Sequence, residues 1–213
     1  MALSAADGGI AFVSTKHNDE PFYRGWGNGI VARLVCRRAD RVIAISEAVR
    51  RYVTGPRMGC HRERTLTIPY GIDTAPFDTL PAESARQARE QWGVGKAEYL
   101  IGTIARLAPQ KALHVLLQGF AQYLGRGGRE AKLVIVGQGP LEQDLRRLNQ
   151  QLGIAGKVIW AGFREDIPAV LGALDLFALT SRYEGFGLVL LEAMAAAKPV
   201  VATRVSAIPE VVV

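Results

Sequence analysis

"SRYEGFGLVLLEAMAAAKPVV", residues Ser181 to Val201, sets two carboxylates in a run that is otherwise apolar and glycine-rich. Glu184 and Glu192 stand eight positions apart and flank a Gly-Phe-Gly. The run follows a short apolar segment, Leu176–Thr180, that reads as a strand, and it passes into a helical pattern over Leu188–Ala197. Gly185 and Gly187 let the backbone come close to a ligand, and the first amides of the helix point outward with partial positive charge, which suits a phosphate. Each carboxylate could then accept hydrogen bonds from sugar hydroxyls, one on either side of that phosphate. The bland reading has Glu184 in solvent and Glu192 paired with an arginine, and spacing alone does not separate the two.

Working outward, short β-branched or apolar runs alternate with helical patterns. The strands are expected at Ile10–Ser14, Arg41–Ile45, Thr65–Pro69, Tyr99–Ala105, Lys132–Gly137, Lys157–Ala161, Leu176–Thr180 and Pro199–Thr203. Helices are expected at Ile30–Arg38, Glu47–Val53, Ala82–Trp92, Leu113–Leu124, Leu141–Leu152, Ile167–Leu171 and Leu188–Ala197. The alternation predicts an α/β fold with parallel sheets built from right-handed βαβ units. "KLVIVG" and "PVVAT" are continuously apolar, as strands are when helices cover both sheet faces. Prolines and a glycine between Pro69 and Pro81 predict a linker near residues 74–81, dividing the chain into domains 1–77 and 78–213.

Composition narrows the class. The 213 residues are 49% apolar and 22% charged, an ordinary globular mix. The longest charge-free run, Ala112 to Gly125, falls short of a membrane span. "MALSAADGG" has neither the basic nor the apolar region of a signal peptide. Cys36 and Cys60 are expected as reduced thiols of a cytosolic protein, with a disulfide as the alternative. The net charge is +6, and Val31–Arg64 alone holds nine arginines against Asp40, Glu47 and Glu63. Such a segment is either a solvated helix face or a surface for anionic head groups or phosphorylated substrate. Nucleic acid fits less well, since no aromatic residues interleave at stacking spacing.

In parallel sheets ligands sit outside the carboxyl ends of strands. In "IARLAPQK", Arg106 ends one strand and Lys111 opens the next helix, so the two cations could straddle a diphosphate or simply be solvated. "VIVGQGPL" is not a dinucleotide fingerprint, because the sixth position counted from Gly137 is Glu142, and a tight turn accounts for its glycines.

Together these segments resemble a known family. "EGFGLVLLE" looks like the E-x7-E motif of retaining GT-B glycosyltransferases, specifically glycosyltransferase family 4 (group 1). The likeness extends in order through "RADRVIAISEAVRR", "IPYGIDTAPF", "IARLAPQKALHVLL", "LVIVGQGPLEQDLR" and "VIWAGFREDIPAVLGALDLFALTS". It implies two Rossmann-like domains, an acceptor-side one that is incomplete here and a nucleotide-sugar donor one lacking its final segment.

The resemblance implies roles at matching positions. Arg106 and Lys111 would bind the donor diphosphate, Glu192 the ribose, and Glu184 the transferred sugar near its reacting centre. Amides around Gly185, Phe186, Gly187 and Leu188 would cradle sugar and phosphate. Phe163 and Arg164 lie where the family lodges its nucleobase, and His17 matches a histidine that reaches the donor sugar. The reaction implied is transfer of a hexosyl group from a nucleoside-diphosphate sugar to an acceptor hydroxyl with retention. It needs no cofactor and no metal, since the paired cations neutralise the leaving diphosphate. The setting implied is polysaccharide, glycolipid or glycoconjugate assembly on the cytoplasmic side of a membrane, with a sugar or lipid-linked acceptor and peripheral contact with anionic lipid. A family member normally has βα units before Ile10 and helices after Val213, so the chain is expected to bind nucleotide weakly through residues 98–213 and to transfer sugar poorly. The competing readings are a non-catalytic nucleotide-sugar binder and a nucleotide-sugar epimerase of the same fold. Ala112 and Ala197 stand where relatives often carry glycine, and Ala197 is expected in a left-handed cap at a cost of about 1 kcal/mol.

Overall fold

The computed structural model describes residues 11–18, 26–79, 81–127 and 129–212. The expectations for "MALSAADGG" lie outside them. Two compact units form, one from residues 1–71, 183–187 and 204–213 and the other from 72–182 and 188–203.

The first unit holds a parallel sheet of β1 (Val13–Lys16), β2 (Arg41–Ala44) and β3 (Thr65–Thr67), in that order. Helix α1 (Trp26–Arg38) joins β1 to β2, and α2 (Glu47–Val53) joins β2 towards β3. One sheet face buries Lys16, Val42, Ala44 and Thr65, while Val13 and Leu66 stay about half exposed on the other. This period of two along each strand gives the first unit its core. Residues 183–187 and 204–213 supply the rest of it, with Ala207 and Ile208 buried in the short helix region. Ser46 caps α2 through its hydroxyl, which accepts from Val49 N at 3.1 Å. Glu210, far along the chain, adds two more bonds there, accepting from Glu47 N at 2.8 Å and Ala48 N at 2.7 Å. A carboxylate placed on free amides at a helix start is favoured by hydrogen bonding and dipole alike.

The cysteines differ from expectation. Cys36 and Cys60 form a disulfide, with Cα atoms 4.9 Å apart and a sequence separation of 24. Burial of both side chains against one another, which no local pattern encodes, is what pairs them. Reduction frees a loop whose closure contributes about 3 kcal/mol through the unfolded chain. Urea melts with and without reductant are therefore expected to differ by that amount, and coincident melts would show that the pair carries no stability.

The second unit is a five-stranded parallel sheet, β4 (Tyr99–Ile104), β5 (Ala131–Val136), β6 (Val158–Gly162), β7 (Leu176–Leu179) and β8 (Val200–Ala202). Their order across the sheet is β6-β5-β4-β7-β8, that of a doubly wound fold. Helices α3 (Ala75–Asp78), α4 (Ala82–Gln91), α5 (Leu113–Gly125), α6 (Glu142–Gln151), α7 (Ile167–Ala173) and α8 (Leu188–Ala195) connect the strands, and α9 (Ile208–Val211) ends the chain in the first unit. Leu117, Phe120, Leu133, Ile135 and Leu145 fill the core between the sheet, α5 and α6. Across the sheet, Arg89 of α4 donates to Ala173 O and Asp175, and Asp175 accepts from Leu100 N at 2.7 Å. That chain of bonds ties α4 to the entrances of β4 and β7.

Eight strands fall where the alternation places them, within three residues at each described end. The short helix α3 falls inside the stretch read as linker. Ala197 has φ +53° and Ala112 φ +45°, the left-handed conformation that glycine adopts more readily.

Candidate functional site

In a sheet of this order the chain leaves in opposite directions on either side of β4 and β7, so a crevice opens outside their carboxyl ends. The loop after β4 carries Arg106, exposed, and then a 3-10 turn, Pro109–Lys111, that ends on Lys111. The segment after β7 meets this loop directly. Thr180 Oγ1 donates to Lys111 O at 3.1 Å, and Arg182 N donates to Gln110 O at 2.8 Å. Thr203 Oγ1 in turn donates to Ser181 O at 2.7 Å. The Lys111 turn and the strand end that leads towards α8 are therefore held together at the switch point of the sheet.

A third loop supports the first. Ala105 N donates to Val136 O and Leu107 N to Gln138 O, so the residues on both sides of Arg106 are bonded to the end of β5 and the loop after it. Leu141 N returns a bond to Leu107 O at 3.0 Å. Gly137 and Gly139 make this approach feasible. A Cβ on Gly137 would lie 2.1 Å from Ala105 O, and one on Gly139 would lie 2.4 Å from Leu107 O. The tight turn read from "VIVGQGPL" is thus also the seat of the Arg106 loop. The sequence carried no sign of that, because glycine in a turn looks the same whether or not a second loop rests on it.

Glu192 sits in the second turn of α8, half-buried, and nothing among the described residues pairs with it. Burial pushes its carboxyl above the usual carboxylate range. A carboxyl so raised binds its proton more tightly folded than unfolded. Its contribution to stability is full below the ordinary carboxylate range and is lost as pH rises through the raised value. Glu192→Gln removes that penalty at neutral pH. The variant is expected to melt at a higher temperature yet bind a nucleotide sugar about tenfold less well, through loss of charge-assisted bonds. A higher melting point with unchanged affinity would remove Glu192 from the site.

The other residues singled out in sequence fall as follows. Leu188 is the first residue of α8 and is exposed. Phe163 is 66% exposed. Arg164 forms a two-point ion pair with Asp166, at 2.7 and 2.6 Å, and reaches Gln91 at 3.2 Å. That pairing holds the Asp166 carboxyl below its ordinary range. Both side chains line a cavity of about 400 Å³ beside α4, with Ser84 and Gln87 on its wall.

Glu184, Gly185, Phe186 and Gly187 belong to the first unit. Glu184 is 5% exposed, and its carbonyl accepts from Ala207 N at 3.3 Å. The bland reading of Glu184 as a solvated surface carboxylate does not hold. Gly185 lies on the backbone of His17, where a Cβ would come 1.9 Å from its carbonyl oxygen. His17 Nδ1 is hydrogen-bonded to the Tyr70 hydroxyl, and the two rings stack with centroids 5.9 Å apart. Tyr70 meets Phe186 edge-on at 6.1 Å. His17 and Phe186 are therefore gathered around one tyrosine, Tyr70, that has no motif of its own. A tyrosine in "IPYGID" gives no local signal, because its partners lie 53 residues before it and more than a hundred after it. Among the described residues no group of three His, Cys, Asp or Glu side chains is placed to hold a metal ion.

Comparison with known proteins bears on the family and the fold. The family model for glycosyl transferases group 1 matches residues 84–213, and that for glycosyltransferase family 4 matches residues 1–76. The chain is 33% identical over 99% of its length to the GDP-mannose-dependent alpha-(1-6)-phosphatidylinositol monomannoside mannosyltransferase of Mycolicibacterium smegmatis, covering 56% of it. It is 32% identical over 89% of its length to the lipopolysaccharide core biosynthesis mannosyltransferase LpsB of Rhizobium meliloti, covering 51%. Among solved structures, Anabaena HepE in complex with UDP and glucose superposes with a TM-score of 0.86 at 31% identity, over 98% of this chain and 57% of that one. The chain thus spans about half the length of the curated relatives it matches. WaaG, at 19% identity and a TM-score of 0.73, shares the same GT-B fold. The ordered motifs, the doubly wound sheet and these matches agree that the chain belongs to the glycosyl transferases group 1 family.

Proposed function

We propose that the protein moves a hexosyl group from a nucleoside-diphosphate sugar to an acceptor hydroxyl, with retention at the anomeric carbon. The observation that carries this reading is the meeting of the Arg106–Lys111 loop with the end of β7 at the switch point of the donor sheet. Charge builds on the departing diphosphate in such a reaction. A guanidinium, an ammonium and the free amides opening α8 favour that state over the less negatively charged ground state. The same groups let the site work without a metal ion. Glu192 holds the ribose, and Glu184 with His17 faces the transferred sugar. Phe163 and Arg164 flank the base, with Arg164 steadied by Asp166. The acceptor is a sugar or a lipid-linked sugar, and the setting is polysaccharide or glycolipid assembly at the cytoplasmic face of a membrane. A relative named for GDP-mannose and a structure holding UDP support a nucleotide-sugar donor while leaving its base open.

Calorimetric titration with UDP-, GDP- and ADP-sugars tests the donor half, with Lys111→Ala and Glu192→Ala as controls. Saturable binding of one nucleotide sugar, weakened in both variants, is expected. Equal binding by variants and parent would refute the site. Incubation with a lipid-linked or free sugar acceptor tests transfer, and the anomeric coupling constant of the product reads retention directly. An inverted product would overturn the stereochemical assignment and leave donor binding intact.

A further inference from the structure

His17 follows β1 directly, and Tyr70 stands three residues beyond β3, with β2 between the two strands. Ile45 N donates to Lys16 O at 3.4 Å and Ile68 N to Ala44 O at 2.9 Å, so the parallel ladder runs on past the strands. Pro69 has no N–H to give and ends it there. Both residues are thereby carried out at the carboxyl edge of the sheet, where parallel sheets hold ligands. Tyr70 is half-buried and reaches His17 across the width of β2.

The bond between them has a direction. Among the described residues, the contact with His17 Nδ1 is the only hydrogen bond the Tyr70 hydroxyl makes. A phenol donates well and accepts poorly, because its oxygen lone pairs are drawn into the ring. The bare nitrogen of a neutral imidazole is a strong acceptor. The bond one ring nitrogen makes decides which nitrogen keeps the proton. His17 itself is exposed, and no described residue bonds to its Nε2. Its ring lies within 17° of parallel to that of Tyr70, and Phe186, itself buried, holds the tyrosine edge-on at 84°. Gly185 meets the His17 carbonyl directly. Backbone and ring of His17 are therefore seated on the same 183–187 loop of the first unit, one at Gly185 and the other through Tyr70.

We propose that Tyr70 is a positioning residue that donates to His17 Nδ1 and so fixes Nε2–H as a hydrogen-bond donor to an oxygen of the transferred sugar. The sugar contact rests on the transfer function proposed for this chain, whereas the state of the imidazole does not. With Nε2 protonated and Nδ1 engaged, His17 has no lone pair for the acceptor's proton. It orients the sugar and leaves deprotonation to another group.

Long-range nitrogen–proton spectra of the chain with isotope-labelled histidines read the tautomer without any ligand. The chain has three histidines, and His17→Gln identifies the signals of His17 by their loss. At about pH 8.5, above the ordinary imidazole range, the parent is expected to show His17 with Nδ1 bare and Nε2 protonated. Tyr70→Phe removes one oxygen and keeps the ring against Phe186. It is expected to melt as the parent does and to move the Nδ1 resonance towards that of free imidazole. A protonated Nδ1 in the parent would overturn the proposal, and so would His17 signals that Tyr70→Phe leaves in place. Calorimetry then reads the sugar contact, with UDP-glucose against UDP and GDP-mannose against GDP. In the pair that binds, Tyr70→Phe is expected to weaken the nucleotide sugar about tenfold and leave the free diphosphate unchanged, since only the former carries a sugar to meet His17. Equal losses on both would make Tyr70 a structural residue, and no loss on either would remove it from the site. Either result overturns the positioning role. If the parent binds neither pair, the donor reading falls and the sugar contact with it, while the spectra still decide the state of His17.

Discussion

Arg106→Ala/Lys111→Ala is expected to abolish measurable binding of a nucleoside-diphosphate sugar, a loss of about a thousandfold. A hydrogen bond to a charged group contributes about 1.5–3 kcal/mol, so two such contacts to a diphosphate amount to roughly 4 kcal/mol. The geometry makes this a clean test. Arg106 is exposed, and among the described residues no carboxylate pairs with it. The Lys111 backbone, not its side chain, carries the bond to Thr180. Truncating both side chains therefore removes charge while leaving the backbone bond from Thr180 to the loop in place. Each single variant should lose about thirtyfold. Because two cations act on one dianion, the binding constant of the parent should also fall with salt more steeply than that of either single variant. Parent-like affinity in both single variants would place the diphosphate elsewhere on the molecule.

Gly137→Ala is expected to destabilise the second unit by about 4 kcal/mol and to weaken donor binding without touching the donor. Gly137 has φ +130°, a region that L side chains rarely enter. Its new Cβ would also press on Ala105 backbone, 2.1 Å from the oxygen and 2.9 Å from the carbonyl carbon. Strain of about 1–3 kcal/mol and overpacking of a similar size combine there. Neither neighbour is a flexible side chain, so relief comes only by moving backbone, and the backbone that moves carries Arg106. Urea melts read the first effect and nucleotide titration of the folded fraction reads the second. A stable variant with intact affinity would show that the two loops can separate without harm, and would remove the positioning role given to these glycines.

The contrast between these two variants marks how much was legible in the sequence. Arg106 and Lys111 could be singled out from a strand end, a turn and a helix start, although solvated cations fit the same places and only the family resemblance implied a diphosphate role. The period of two in the strands and 3.6 in the helices likewise placed β2, α2, β4 and α8 within a residue or two of their positions. Ala197 was expected in a left-handed cap from its place after the helix, and its φ of +53° agrees. The clamp of Gly137 and Gly139 on Ala105 and Leu107 was not legible, since a turn glycine does not say what rests on it.

Local pattern and ordered motifs by themselves determined the fold class, the order of elements and the family. Tertiary structure alone decided that Cys36 meets Cys60, that Glu210 caps a helix 163 residues earlier, and that Tyr70 gathers His17 and Phe186. It also decided that Glu184 is buried in the first unit while Glu192 belongs to the second. The physical reason is range. Periodicity and capping act over a few neighbouring residues and leave a trace in the local sequence. A contact between distant segments is set by how whole elements pack, and the chemistry of either partner alone does not record it.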